Sequence, residues 1–381
     1  MNATSTPALN GPVDLMIERC VTELQRGREI TLLDEHDHRC LRLVEAMDQQ
    51  TLAKALAGNS GVLVLSRSRA RAMRLLSDNE QICLQLPADF SLSDLRALSG
   101  LEGVAEHSKI PESDANATKR AVTAPADLHA LVTESKNLYA QCALKLARLA
   151  HVLPAVVIYR PESLPAQNLF TSVQNVLDYT DQSGKLLFLG SASLPLATAA
   201  NVELSVFRGK HDGAEHIAIL VENPDLSDVV TVRLHSSCFT GDILGSLRCD
   251  CGEQLSGAIT RMANEGGGVI LYLSQEGRGI GLASKLRAYQ LQDSGLDTIE
   301  ANQYLGFDAD ERSYDAAISM LQHLGISCLK LMTNNPEKIS ALRDAGLTVI
   351  ERLPSPATVN VHNARYLETK RRKAGHLAVT D

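Results

Sequence analysis

The chain has 381 residues, a formal charge of -8, 44% hydrophobic residues and no tryptophan. At about 100–200 residues per domain, that length predicts two domains with mainly aliphatic cores. The acidic balance excludes general nucleic-acid binding, which leaves a basic footprint, and no apolar run approaches the ~20 residues of a membrane helix.

In chain order, the stretch Met1 to Met16 lacks a basic region followed by an apolar core, so no secretory signal is expected. Eight scattered cysteines fit a reducing cytoplasm better than a disulfide framework. Val13 to Gly27 is predicted as a helix, with Val13, Ile17, Val21 and Leu24 at helical spacing. Strands follow at Ile30 to Leu33 and Gly61 to Leu65, then a helix at Leu138 to Leu149 and a β-like run at Val152 to Tyr159. Arg160 to Pro165 breaks the pattern, and Thr180 to Gly184 reads as a connector. The domain boundary is placed near 185–195, giving domains 1–189 and 190–381. Beyond it, strands near 229–235, 268–274, 327–333 and 347–352 alternate with helices near 253–265, 281–293, 312–324 and 335–345. Such alternation predicts an α/β layered fold; the chain is expected to form two α/β domains, the second with a mixed sheet.

The chemistry concentrates in the second half. Cys238, Cys249 and Cys251 fall inside fourteen residues, among Gly, Asp, Ser and Arg. Three thiolates at this spacing suit one tetrahedral Zn2+ with its fourth position open to water, as in catalytic rather than structural sites. Buried thiols of an ordinary core are the alternative reading. After the strand at Gly268 to Leu273 comes Gln275-Glu276-Gly277-Arg278-Gly279-Ile280-Gly281. Glycines between strand and helix let backbone amides approach an anion, and Arg278 can pair with a phosphate.

These residues carry a resemblance. From about 195 to 381 the chain resembles GTP cyclohydrolase II, through His235 to Cys251, Gln275 to Leu296, Asp297 to Arg312 and Thr333 to Lys338. The family opens the imidazole ring of GTP and releases formate and pyrophosphate in the first committed step of riboflavin synthesis. The resemblance implies one zinc per chain on Cys238, Cys249 and Cys251, with GTP contacts from Arg233, Leu234, His235, Ser236, Ser237, Gln254, Glu276, Gly277, Arg278, Thr298, Thr333 and Lys338. It implies Asp310 as proton acceptor, Arg312 as nucleophile towards the α-phosphorus and Tyr289 as a donor near C8. Charge stabilisation by Arg312 is the chemical alternative. Taken as residues alone, Tyr289 reads as a helix-surface tyrosine and Asp310-Glu311-Arg312 as a solvated charge run. Mg2+ is expected with the substrate phosphates, and a homodimer as the assembly. One departure stands out: the family commonly has Glu before the first zinc cysteine, where this chain has Ser237.

The first half resembles 3,4-dihydroxy-2-butanone-4-phosphate synthase, through Gly27 to Leu33, Asp34 to Arg39 and Leu144 to Ile158. Its chemistry is largely replaced. His36 to Leu43 stands where that family has an acidic loop, Tyr139 corresponds to its metal histidine, and Arg160 to its later acidic residue. A new metal site of His36 and His38 with Asp34, Glu35 and Asp37 is the lesser reading; a stabilising or assembly role is favoured. The leading expectation is a cyclohydrolase carrying a degenerate synthase-like domain. A bifunctional enzyme and a non-catalytic GTP-binding scaffold are the alternatives.

Overall fold

The computed structural model describes residues 12–35, 37–75, 80–102, 132–133, 137–165, 168–356, 358–373, 375 and 377. They form two compact units. The first holds the chain up to Thr180 with Arg287–Leu296 and Glu300–Ala309; the second holds Asp181–Leu286, Asp297–Ile299 and the chain from Asp310.

The first unit contains α1 (Val13–Gln25), β1 (Ile30–Leu33), β2 (His38–Leu43), α2 (Gln49–Leu56), β3 (Val62–Ser66), α3 (Arg67–Ala72), β4 (Gln81–Gln85), α4 (Leu92–Ser99), β5 (Val132–Thr133), α5 (Leu138–Leu149), β6 (Ala155–Tyr159), β7 (Leu169–Ser172) and α6 (Val173–Asp178). Its strands make one mixed sheet in the order β5-β4-β3-β6-β2-β1-β7, in which only β1 and β7 run parallel. The apolar runs of β1 and β6 are buried along their whole length. Ile17, Cys20 and Leu24 of α1 and Ala143, Leu146 and Ala147 of α5 share one core with Ile30, Leu32, Leu41 and Ile158. Side-chain caps fix the helix starts: Asp48 closes a capping box on α2, Ser66 caps α3, Ser91 caps α4 and Asn137 caps α5. The stretch read as a replaced loop, His36 to Leu43, forms β2 from His38 onward, while His36 lies outside the described residues.

The late segment Glu300–Ala309 is bolted into this unit by a buried arginine. Arg69, 1% exposed, donates to the carbonyls of Leu98, Ala97 and Tyr304 at 2.7, 2.8 and 2.7 Å. Its guanidinium lies 4.2 Å from the Tyr304 ring centroid. Ser66 Oγ donates to Gly306 O at 2.5 Å. Gly306 has φ +91°, and a Cβ there would press on Ser66, Pro154 and Arg69 at 3.0–3.3 Å.

The second unit holds β8 (Leu186–Ser193), β9 (Val202–Gly209), β10 (Glu215–Val221), β11 (Val230–Ser236), α7 (Cys251–Asn264), β12 (Gly268–Leu273), most of the start of α8 (Gly281–Asp293), α10 (Asp315–His323), β13 (Cys328–Met332), α11 (Pro336–Asp344), β14 (Thr348–Leu353) and α12 (Ala364–Lys373); α9 is Thr298–Tyr304. The sheet order is β14-β13-β11-β12-β10-β9-β8. The four strands β14, β13, β11 and β12 are parallel, and the β10-β9-β8 meander is antiparallel. The predicted α/β alternation produces that parallel half. The chain changes unit after Thr180, and the expected boundary region 185–195 is occupied by β8.

Candidate active site

Two parallel neighbours, β11 and β12, end side by side, with Ser236 opposite Leu273. The carboxyl ends of parallel strands are where open α/β sheets place their ligands. From β11 the chain turns into Cys238 and a short helical turn, Phe239–Ile243; from β12 it turns into Glu276–Gly279.

The three candidate metal ligands converge. The Sγ atoms of Cys238, Cys249 and Cys251 lie within 4.8 Å of one another, and among the described residues no other His, Cys, Asp or Glu joins the cluster. Gly241 forms its floor: a Cβ there would stand 2.8 Å from Cys249 Sγ and 3.1 Å from Cys238 Sγ. Three soft donors on so tight a cradle fit a zinc ion and leave one coordination position for a non-protein ligand. The Cys238 thiol is pushed well below its ordinary range, chiefly by hydrogen bonds from Cys249 and Cys251 against the opposing effect of burial, with help from Lys285. It is thus poised as a thiolate, the form that binds metal.

Around the three sulfurs lies a polar frame. Buried Arg233 donates to Gln254 Oε1 at 2.7 Å and Ser355 Oγ at 2.8 Å. Burial draws its guanidinium down to about 10, opposed by Asp250, Cys251 and Asp242, so it remains cationic at neutral pH. His235 stacks on Tyr272 with centroids 5.5 Å apart and faces Asp242 through Nε2 at 3.1 Å. Burial lowers its pKa despite Asp242, which leaves a neutral ring with its proton on the carboxylate side. Leu234 presents its carbonyl to Lys338 Nζ at 2.7 Å, and Thr333 Oγ1 accepts from Asn335 N at 3.0 Å, just before α11. Ser236 Oγ is buried without a partner. Ser237 Oγ accepts from Gln275 N at 3.2 Å, joining the two loops.

In the second loop, Gly277 and Arg278 both take left-handed backbone, φ 65° and 64°. For a non-glycine residue this is a strained state of the kind found at ligand loops. Gly279 passes so near the next loop that a Cβ would meet Glu311 O at 2.7 Å. Glu311 N donates to Arg278 O at 3.2 Å, placing Asp310 and Arg312 beside the glycine loop. Arg312 is paired with Asp310 through Nε at 2.8 Å and through a second guanidinium nitrogen. Burial raises the Asp310 pKa, but Arg312 more than offsets this and holds it below its usual range. Burial likewise opposes the charge of Arg312, yet Asp310 keeps its pKa above the usual value. Asp310 and Arg312 therefore form a half-buried ion pair rather than part of a solvated run. Thr298 opens α9, and half-buried Tyr289 lies on α8 in the stretch that belongs to the first unit.

Two participants escaped the sequence reading. Asp242, with 3% of its side chain exposed, accepts from Cys238 N at 2.9 Å and Tyr272 Oη at 3.0 Å as well as facing His235. Lys285 on α8 reaches Cys238 Sγ at 3.0 Å. The position of Asp242 four residues after the first cysteine was the available signal; for Lys285 there was none beyond its place one turn into a helix.

At one end of two parallel strands the chain thus brings together three converging cysteines, a glycine loop and the buried cations Arg233 and Lys338. That combination fits a hydrolase acting on an anionic substrate. The GTP cyclohydrolase II family matches residues 189–354. The GTP cyclohydrolase-2 of Azospirillum brasilense is 38% identical across 95% of this chain and 93% of its own length. That of Xylella fastidiosa is 37% identical across 94% and 86%. That of Azotobacter vinelandii is 51% identical across half of this chain and 92% of its own. A solved two-domain 3,4-dihydroxy-2-butanone 4-phosphate synthase from A. baumannii aligns at 15% identity with a TM-score of 0.29, over 90% of this chain and 99% of that one. The chain belongs to the GTP cyclohydrolase II family of hydrolases.

Proposed function

We propose that the protein hydrolyses GTP, releasing formate and pyrophosphate, to supply riboflavin synthesis, and that the chemistry belongs to residues 190–381. The observation that carries this reading is the convergence of the Cys238, Cys249 and Cys251 sulfurs within 4.8 Å of one another. When bound there, zinc would supply a water acidic enough to attack an imidazole carbon at neutral pH and, later, the formyl group. The side chains of the frame have separate tasks. Arg233, fixed by Gln254 and Ser355, and neutral His235, fixed by Asp242, line the approach from β11. Glu276 to Arg278, Thr298, Thr333 and Lys338 contact the nucleotide, with Mg2+ held largely by its phosphates. Tyr289 donates near the reacting carbon, a role that rests on the family alone.

At the phosphate end, the ion pair supports one of two readings of Arg312. A guanidinium with a raised pKa, held by a carboxylate with a lowered one, is a poor nucleophile and a good stabiliser of charge on phosphorus. We therefore assign Arg312 charge stabilisation, with Asp310 fixing its orientation. Trapping a covalent guanylyl adduct on Arg312 in a rapid quench would reverse the assignment.

The first half has no retained synthase role in this reading. Asp37 is shared by Arg39 at 2.8 Å and Arg160 at 3.2 Å, and Arg39 lies 5.9 Å from the ring of Tyr139. Arginines and a tyrosine thus occupy positions where Mg2+ would need free oxygen ligands. A homodimer and a cytoplasmic location are part of the same proposal. Measuring zinc per chain together with formate and pyrophosphate release from GTP tests the function. Incubation of ribulose 5-phosphate with Mg2+ should give no four-carbon phosphate; its appearance would make the chain bifunctional. GTP binding without formate release by zinc-loaded protein would point to the scaffold alternative.

A further inference from the structure

Lys285 is a cation in direct contact with a proposed metal ligand, and neither the family resemblance nor the reaction above gives it a role. It sits one turn into α8, immediately after the glycine loop. Only 11% of its side chain is exposed. Its ammonium meets Cys238 Sγ at 3.0 Å, Thr240 Oγ1 at 2.9 Å and Glu276 Oε1 at 2.9 Å. An ammonium has three N–H donors, matched in number by these three contacts. Glu276 is itself anchored, because it accepts from Phe239 N at 2.6 Å and Gly277 N at 3.0 Å. Lysine and glutamate therefore bridge the loop after β12 to the turn that begins at Cys238.

The consequence follows from how a thiolate binds a metal. Three thiolates donate enough charge to blunt the Lewis acidity of a divalent ion. A hydrogen bond to sulfur withdraws part of that charge, and such outer contacts tune a metal centre strongly. A charged donor does so more than a neutral one. We propose that Lys285 is a positioning residue of the metal centre, holding Cys238 through N–H···S and keeping that thiolate electron-poor, so that the metal stays electrophilic at its open position. The inference rests on the reading that zinc binds the three cysteines.

The test uses the full-length chain in wild-type, Lys285→Met and Lys285→Arg forms, each loaded with zinc for kinetics and with Co2+ for spectroscopy. Lys285→Met should keep its metal, while the thiolate-to-cobalt charge-transfer band moves to lower energy, since a sulfur freed of its hydrogen bond gives up an electron more easily. Formate release should lose at least about tenfold in kcat with KM for GTP changed less than about threefold. Lys285→Arg, which keeps a charged donor, should return the band part of the way. An unmoved band, or a raised KM with intact kcat, would overturn the proposal, as would a folded Lys285→Met chain that holds no metal. Should the Met variant fail to fold, the Arg variant must show a band at lower energy than that of wild type. A wild-type chain that takes up neither ion would remove the zinc reading itself; a metal-loaded wild type with an indifferent Lys285→Met would sink only the role of Lys285.

Discussion

Among the described residues each unit has a seven-stranded mixed sheet, and each gathers polar side chains beside strand ends, but the two gatherings differ in what they leave available. In the first unit, the carboxylate of Asp37 is consumed by Arg39 and Arg160. The Tyr139 hydroxyl beside them is buried without a partner, its pKa pushed up to about 12 by burial first and then by Asp37 and Asp34. In the second unit, three sulfurs face one another, and among the described residues no other His, Cys, Asp or Glu joins them. The aliphatic interiors of the two are alike. A fold survives on its interior, whereas a reaction depends on a handful of side chains at the rim.

The comparison breaks most completely at Cys249. Cys249→Ser replaces a soft ligand by a hard, protonated one, so the chain should lose both its zinc and its formate release, as read by metal analysis and a formate assay. Unchanged turnover in rigorously zinc-free protein would remove the contrast between the units. Arg312→Ala comes next: pyrophosphate release should fall by about 100-fold, with zinc content unchanged because arginine is no ligand. Pyrophosphate release at the wild-type rate would show that the Asp310–Arg312 pair serves structure only.

How much of this was legible follows the range of the physical signal. Ile30–Leu33, Gly268–Leu273 and the helix Leu138–Leu149 lie close to where periodicity puts them, because each is locally apolar in the right rhythm. The strand His38–Leu43 read as a loop, since its histidine and arginines look like solvent-facing residues; in the fold Arg39 is paired with Asp37 and Arg42 donates to Ala46 O. The cysteines and the glycine loop were visible because their types are rare and closely spaced. Asp242 and Lys285 were not, since one aspartate and one lysine carry no information until the fold aims them at Cys238. Nor does any local pattern announce that Tyr304 packs on Arg69, 235 residues earlier.

That long contact gives a smaller effect within the first unit. Arg69→Met keeps the bulk of the stem but strips the donors from three carbonyls, so unfolding in urea should show a loss on the order of 3 kcal/mol. A change near zero would mean that the late segment Glu300–Ala309 is held by packing alone.

The smallest effect concerns pH and Glu29, whose side chain is 8% exposed. Burial raises its pKa, but hydrogen bonds from Tyr159, Asn168 and Lys54 outweigh that and leave it below the ordinary 4.5. The Asn168 bond is 2.8 Å and the Lys54 bond 3.1 Å. A carboxyl whose folded pKa is depressed binds protons less readily in the folded chain than in the unfolded one. Its contribution is therefore complete above the unfolded pKa near 4.5 and is lost as pH falls through the lower folded value. Glu29→Gln removes the charge at every pH. The stability difference between wild type and this variant, measured by urea unfolding, should be constant near neutrality and shrink below about pH 4.5. A difference that widens in acid would mean that Glu29 is protonated in the folded protein, and that the network around Tyr159 is held by a neutral carboxyl instead.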